Sequence, residues 1–92
     1  MSSAAAHLIA RGRVQGVGFR FFAHRVARGR GITGWVKNLP DGSVEIHAEG
    51  EKQAMEEFIS RIKEGPRFGS VSDIEQVWIE PTGRYTDFDI RF

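Results

Sequence analysis

An arginine directly after a glycine-spaced turn and an asparagine at the end of an apolar strand are the residues of this chain best suited to chemistry. The first closes the stretch Gly12-Arg13-Val14-Gln15-Gly16-Val17-Gly18-Phe19-Arg20; the second lies within Gly34-Trp35-Val36-Lys37-Asn38-Leu39-Pro40-Asp41-Gly42-Ser43-Val44. Gly16 and Gly18 leave backbone N–H groups uncovered and permit conformations that a side chain forbids. Donors along Gln15, Gly16, Val17, Gly18, Phe19 and Arg20 can therefore converge on one tetrahedral anion. Arg20 stands where a helix begins, and unpaired N–H groups and the helix dipole already favour negative charge there. Its planar fork stays charged at any working pH and suits bidentate contact with phosphoryl oxygens as charge shifts in a transition state. Asn38 cannot serve as a base, but its amide can accept a hydrogen bond from water while its NH₂ donates elsewhere, which orients that water for attack on phosphorus. Neither stretch places a histidine, acid or serine as base or nucleophile, so the substrate must have an easily departing leaving group. A carboxylic–phosphoric mixed anhydride has one, because its leaving carboxylate is weakly basic.

These two residues must be brought together by the elements around them. Residues 7–14 read as a first strand and 21–28 as a helix, with Phe22 and Val26 on one face. Residues 32–39 read as a second strand, and Leu39-Pro40-Asp41-Gly42 as a turn in which Pro40 presets φ and Gly42 takes the left-handed position. Val44, Ile46 and Ala48 alternate with Glu45, His47 and Glu49, which predicts a third strand with one buried and one wet face. Met55, Phe58, Ile59 and Ile62 make one apolar stripe on a second helix over 51–63. A fourth strand is predicted over 74–80, with Val77 and Ile79 on one face. A last one is predicted over 87–92, with Phe88, Ile90 and Phe92 inward. The order β-α-β-β-α-β plus a terminal segment predicts an α+β, ferredoxin-like sandwich, a mainly antiparallel sheet with two helices on one face. In that topology the first two long strands run parallel with the third between them, so Arg20 and Asn38 emerge at one sheet edge, roughly 10 Å apart between strand axes.

The two stretches resemble the signatures of the acylphosphatase family. Gly12-x-Val14-Gln15-Gly16-Val17-x-Phe19-Arg20 matches one, and Gly34-Trp35-Val36-Lys37-Asn38 followed by Gly42-x-Val44 and the later Gly50 matches the other. The likeness runs from about His7 to Phe92 and includes Gly65-Pro66 and Phe88-x-Ile90. Ala10 departs from it, standing where a larger aliphatic residue is usual; that touches strand packing rather than chemistry. The resemblance implies hydrolysis of acyl phosphates to carboxylate and orthophosphate, with Arg20 and Asn38 as catalytic residues, residues 15–20 as the phosphate-binding loop, and neither metal, cofactor nor phosphoenzyme.

Composition sets bounds of its own. Ninety-two residues with 40% hydrophobic content and seven phenylalanines suit one domain over 1–92 with a modest core. Zero cysteines exclude disulfides and thiol chemistry. Met1 to Ala6 lacks the basic and apolar segments of a signal peptide, and no apolar run reaches the ~20 residues of a membrane span. A cytoplasmic location, no membrane partner and a monomeric state are the expectation, with the edge charges Glu80, Asp87 and Asp89 discouraging strand pairing. A net charge of +1 gives no field for nucleic acid.

Competing patterns are weaker. His7, His24 and His47 are expected to be surface or packing residues, on separate elements and without paired carboxylates. Gly29-x-Gly31-x-x-Gly34 follows a helix and enters a strand, the reverse of a dinucleotide site. Lys37 is expected to face solvent, Asp41 to serve the turn, and Glu45, Glu49, Glu56, Glu57 and Glu64 to lie on solvated faces. The same element order serves RNA-recognition modules, but Phe19, Phe21 and Phe22 fall at a loop and helix start rather than on a central strand, and Glu45 and Glu49 would repel a phosphate backbone. A non-catalytic binder of phosphorylated metabolites is the other alternative. Length argues against a segment of a larger carbamoyl-transfer protein.

Overall fold

The computed structural model describes residues 2–92. Its elements are β1 (Ser3–Arg13), α1 (Phe19–Gly29), β2 (Thr33–Asn38), β3 (Val44–Glu51), α2 (Lys52–Glu64), β4 (Ser70–Ile79) and β5 (Phe88–Arg91). The sheet order is β4-β1-β3-β2-β5. β3 pairs antiparallel with both β1 and β2, so β1 and β2 run parallel and deliver Arg13 and Asn38 to the same sheet edge. β5 adds to β2 in parallel and β4 to β1 antiparallel, which makes them the two edges. This is the ferredoxin-like sandwich that the element order predicts.

One sheet face and the two helices enclose the core. Leu8, Val36, Val44 and Ile46 meet Phe19, Phe22 and Val26 of α1 and Met55, Phe58 and Ile62 of α2, all buried. Each such side chain contributes roughly 1.5–3 kcal/mol. Phe88 ties β5 to both helices, its ring 6.0 Å from Phe58 and 6.4 Å from His24.

Several boundaries and faces differ from the sequence reading. β1 begins at Ser3 because Ala4, Ala5 and Ala6, poor strand formers in isolation, are buried and paired with β3, and Ala5 and Ala6 with β4 as well. α1 begins at Phe19, since Gly18 adopts the left-handed conformation (φ 76°) that ends the loop. β4 starts at Ser70 rather than Ile74; Val77 and Ile79 do share one face, opposite His7 and Ala5, and that face is exposed and points away from the helices. Phe92 does not turn inward: it is 95% exposed beyond the end of β5.

The third strand's second face is not uniformly wet. His47 and Glu49 are buried, because the segment between β4 and β5 folds over them. Tyr85 lies 5.1 Å from His47 between ring centroids, and Trp35 stacks on the imidazole's plane at 6.1 Å. The Glu49 carboxylate accepts bonds from the Thr82 hydroxyl (2.6 Å), Thr82 N–H (2.9 Å), Gly83 N–H (3.1 Å) and His47 Nε2 (2.6 Å). An ionised carboxylate only accepts, so Nε2 carries the proton. His7 is likewise paired, at 2.6 Å to Glu45. The expectation of unpaired histidines and a solvated Glu49 is therefore corrected.

Burial pushes the Glu49 carboxyl up, but the bonds from Thr82, His47 and Gly83 outweigh it and bring the pKa from an ordinary 4.5 to about 2. A depressed pKa means stability that is present above about 4.5 and lost as pH falls towards about 2. Glu49→Gln turns one of the two terminal atoms into a donor facing donors. A loss of about 2 kcal/mol at pH 7 is expected, with a flattened pH dependence below 4.5, measured by urea unfolding at pH 7 and pH 3.

Candidate active site

The loop between β1 and α1 is shaped by two glycines. Gly16 (φ 75°) and Gly18 (φ 76°) hold left-handed conformations, and the space a Cβ would enter at either one is open. The requirement is conformational rather than steric, and it leaves bare backbone facing a cavity. Gly18 precedes α1 with no side chain capping the first turn and no acid within it. Its carbonyl accepts from Phe22 N–H at 2.9 Å, so α1 starts with its foremost N–H groups free for an anion.

A cavity of about 100 Å³ opens there, lined by Val14, Gly16, Gly18, Phe19, Arg20, Phe21 and Asn38. Arg20 and Asn38 thus share one hollow, as the parallel course of β1 and β2 requires. Gly16, Gly18 and Phe19 lie on its wall, while Gln15 and Val17 belong to the loop but not to the wall. Val17 packs against the core. A larger hollow of about 250 Å³ beside Arg11, Gly12, Asp41, Gly42 and Ser43 offers no free cation, because Arg11 is bridged to Glu75 (2.8 Å) and Asp73 (3.4 Å).

Arg20 is held from the side of β5. Nη1 donates to the Arg91 carbonyl at 3.0 Å, and the guanidinium lies 4.6 Å from the centroid of Phe92. One donor of five is thereby committed, and the remainder are available to a ligand. Sequence reasoning missed these contacts because the place of β5 in the sheet has no local signal. Asn38 is exposed at the end of β2.

Gln15 acts through its side chain. Nε2 donates to the carbonyls of Leu39 (2.8 Å) and Ser43 (2.9 Å), strapping the glycine loop to the turn that follows Asn38. Asp41 shapes that turn: bonds from the Ser43 hydroxyl and N–H hold its carboxyl below the usual range. Lys37, beside Asn38 in the chain, faces Glu45 at 3.7 Å on the other side of the sheet. Gln15→Ala removes both straps. An expected loss of about 1–2 kcal/mol in stability accompanies a fall of about tenfold in kcat as loop and asparagine drift apart, read by thermal unfolding and steady-state kinetics.

Comparison with known proteins places this geometry. The Acylphosphatase family model matches residues 6–90. An acylphosphatase of Caldanaerobacter subterraneus is 46% identical over 84 residues, covering 91% of this chain and 93% of that one. An acylphosphatase of Roseiflexus is 43% identical over 90 residues, covering 98% and 97%. The crystal structure of acylphosphatase from Bacillus subtilis superposes with a TM-score of 0.93 at 40% identity, covering 97% of this chain and 99% of that one. With both signatures meeting at one cavity and likeness along nearly its whole length, the chain belongs to the acylphosphatase family.

Proposed function

We propose that this protein hydrolyses the carboxyl–phosphate anhydride of acyl phosphates, with Arg20 binding the phosphoryl group in the glycine loop and Asn38 orienting the attacking water. The observation that carries the reading is the meeting of Arg20, Asn38 and the bare backbone of Gly16 and Gly18 in one cavity. The water oxygen attacks phosphorus in line as the phosphorus–oxygen bond to the acyl group breaks. The carboxylate leaves with the electron pair, and a non-bridging phosphoryl oxygen takes the water's proton. Positioning and charge stabilisation suffice for so weakly basic a leaving group. No residue of the site is called upon as a base.

We further propose that residues 1–92 work as a single monomeric domain in the cytoplasm, acting on a small metabolite rather than on nucleic acid. Among the described residues no helix is long and apolar enough to cross a membrane. The sheet face that an RNA-recognition module would use carries Glu45, bound to His7 and Lys37, and the Trp35–His47–Tyr85 cluster under the β4–β5 segment. Purified protein in EDTA should release orthophosphate from acetyl phosphate and leave a simple alkyl phosphate monoester intact. Phosphate binding without turnover by a folded sample would replace the hydrolase with a binding module.

A further inference from the structure

We propose that Phe21 is a specificity-determining residue, an apolar platform at the mouth of the cradle that favours acyl phosphates with aromatic or broad apolar acyl groups. The proposal rests on the hydrolase reading above. The cavity holds about 100 Å³, against the ~30 Å³ share of a water molecule in the liquid. That is room for a phosphoryl group and little more. The acyl carbons must therefore lie over the rim, and what they meet there decides selectivity among substrates whose phosphoryl ends are identical.

The rim offers few surfaces. Gly16 and Gly18 have no side chains, and Arg20 and Asn38 are directed to the phosphoryl group and the water. Val14 and Phe19 are each 1% exposed and belong to the core, whereas Phe21 is 57% exposed. Of the residues lining the cavity, Phe21 alone brings apolar side-chain surface to solvent. Its position on α1 explains this. The buried stripe of that helix is Phe19, Phe22, Ala23, Val26 and Ala27, and Phe21 lies off it, on the side that carries Arg25 and Arg28. A ring left more than half exposed on a polar helix face gains little from folding, but beside a phosphate cradle it can cover a planar acyl group.

The test compares benzoyl phosphate with acetyl phosphate in wild type, Phe21→Ala and Phe21→Tyr, and the binding of benzoylphosphonate with that of acetylphosphonate by calorimetry. The ratio of kcat/KM for benzoyl to acetyl phosphate is expected to fall about tenfold in Phe21→Ala and to return in Phe21→Tyr, with the same change in relative phosphonate affinity. Equal losses for both substrates, or an unchanged ratio, would overturn the proposal. A folded wild type that prefers the benzoyl phosphonate yet hydrolyses neither acyl phosphate would sink the hydrolase reading and leave the role of the ring standing.

Discussion

Arg20→Ala is expected to lower kcat/KM for acetyl phosphate by about 10³-fold or more and to weaken inhibition by orthophosphate in the same variant. Both effects follow from one guanidinium serving ground state and transition state. Arg20 lines the cavity with donors to spare, and the charge on the phosphoryl oxygens changes as the anhydride bond breaks. The fold should survive, because Arg20 is only partly buried and its side chain makes a single hydrogen bond among the described residues, to the Arg91 carbonyl. Arg20→Lys restores the charge but not the planar fork, so it should recover phosphate binding better than turnover. Steady-state kinetics with phosphate as competitive inhibitor, alongside thermal unfolding, separate these effects. Retention of phosphate affinity in Arg20→Ala would move the anion to another part of the molecule.

Asn38→Ala is expected to cost about 10²-fold or more in kcat while orthophosphate still binds with nearly wild-type affinity. The asparagine carries no charge for the anion to lose, and its proposed partner is the water, absent from the phosphate complex as a nucleophile. Among the described residues none exchanges a hydrogen bond with its side-chain amide, so truncation strands no buried group and stability should change little. The contrast between the two variants is the useful result. A parallel loss of affinity in Asn38→Ala would make this residue a phosphate ligand instead, and the water would need another guide.

Much of this site was legible in the sequence because its determinants are local. Gly16 and Gly18 announce a turn with exposed amides, Arg20 follows at a helix start, and strand direction alone brings Asn38 to the same edge. The α+β order was legible for a similar reason: period-2 and period-3.6 patterns mark the elements, and connection rules limit their arrangement. What escaped depends on remote chain segments. Alternation places His47 and Glu49 on the face away from the helices, but nothing near them tells that Thr82, Gly83 and Tyr85 will cover that face. Three alanines give β1 no strand signal before His7, and only pairing, with β3 along the whole segment and with β4 from Ala5, extends it to Ser3. Gln15 reads as a loop donor, whereas its amide reaches across to the Leu39 and Ser43 carbonyls. Phe92 continues the alternation of Phe88 and Ile90, yet the helices offer it no cover and its ring lies beside Arg20 instead.

The central claim is that water, guided by Asn38, attacks a phosphorus held by Arg20. Hydrolysis of acetyl phosphate in ¹⁸O-labelled water, with the products resolved by mass spectrometry, tests it most directly. One labelled oxygen in the orthophosphate and none in the acetate is the predicted result. Label in the acetate would mean attack at the carbonyl carbon, and the assignment of both residues would fail with it.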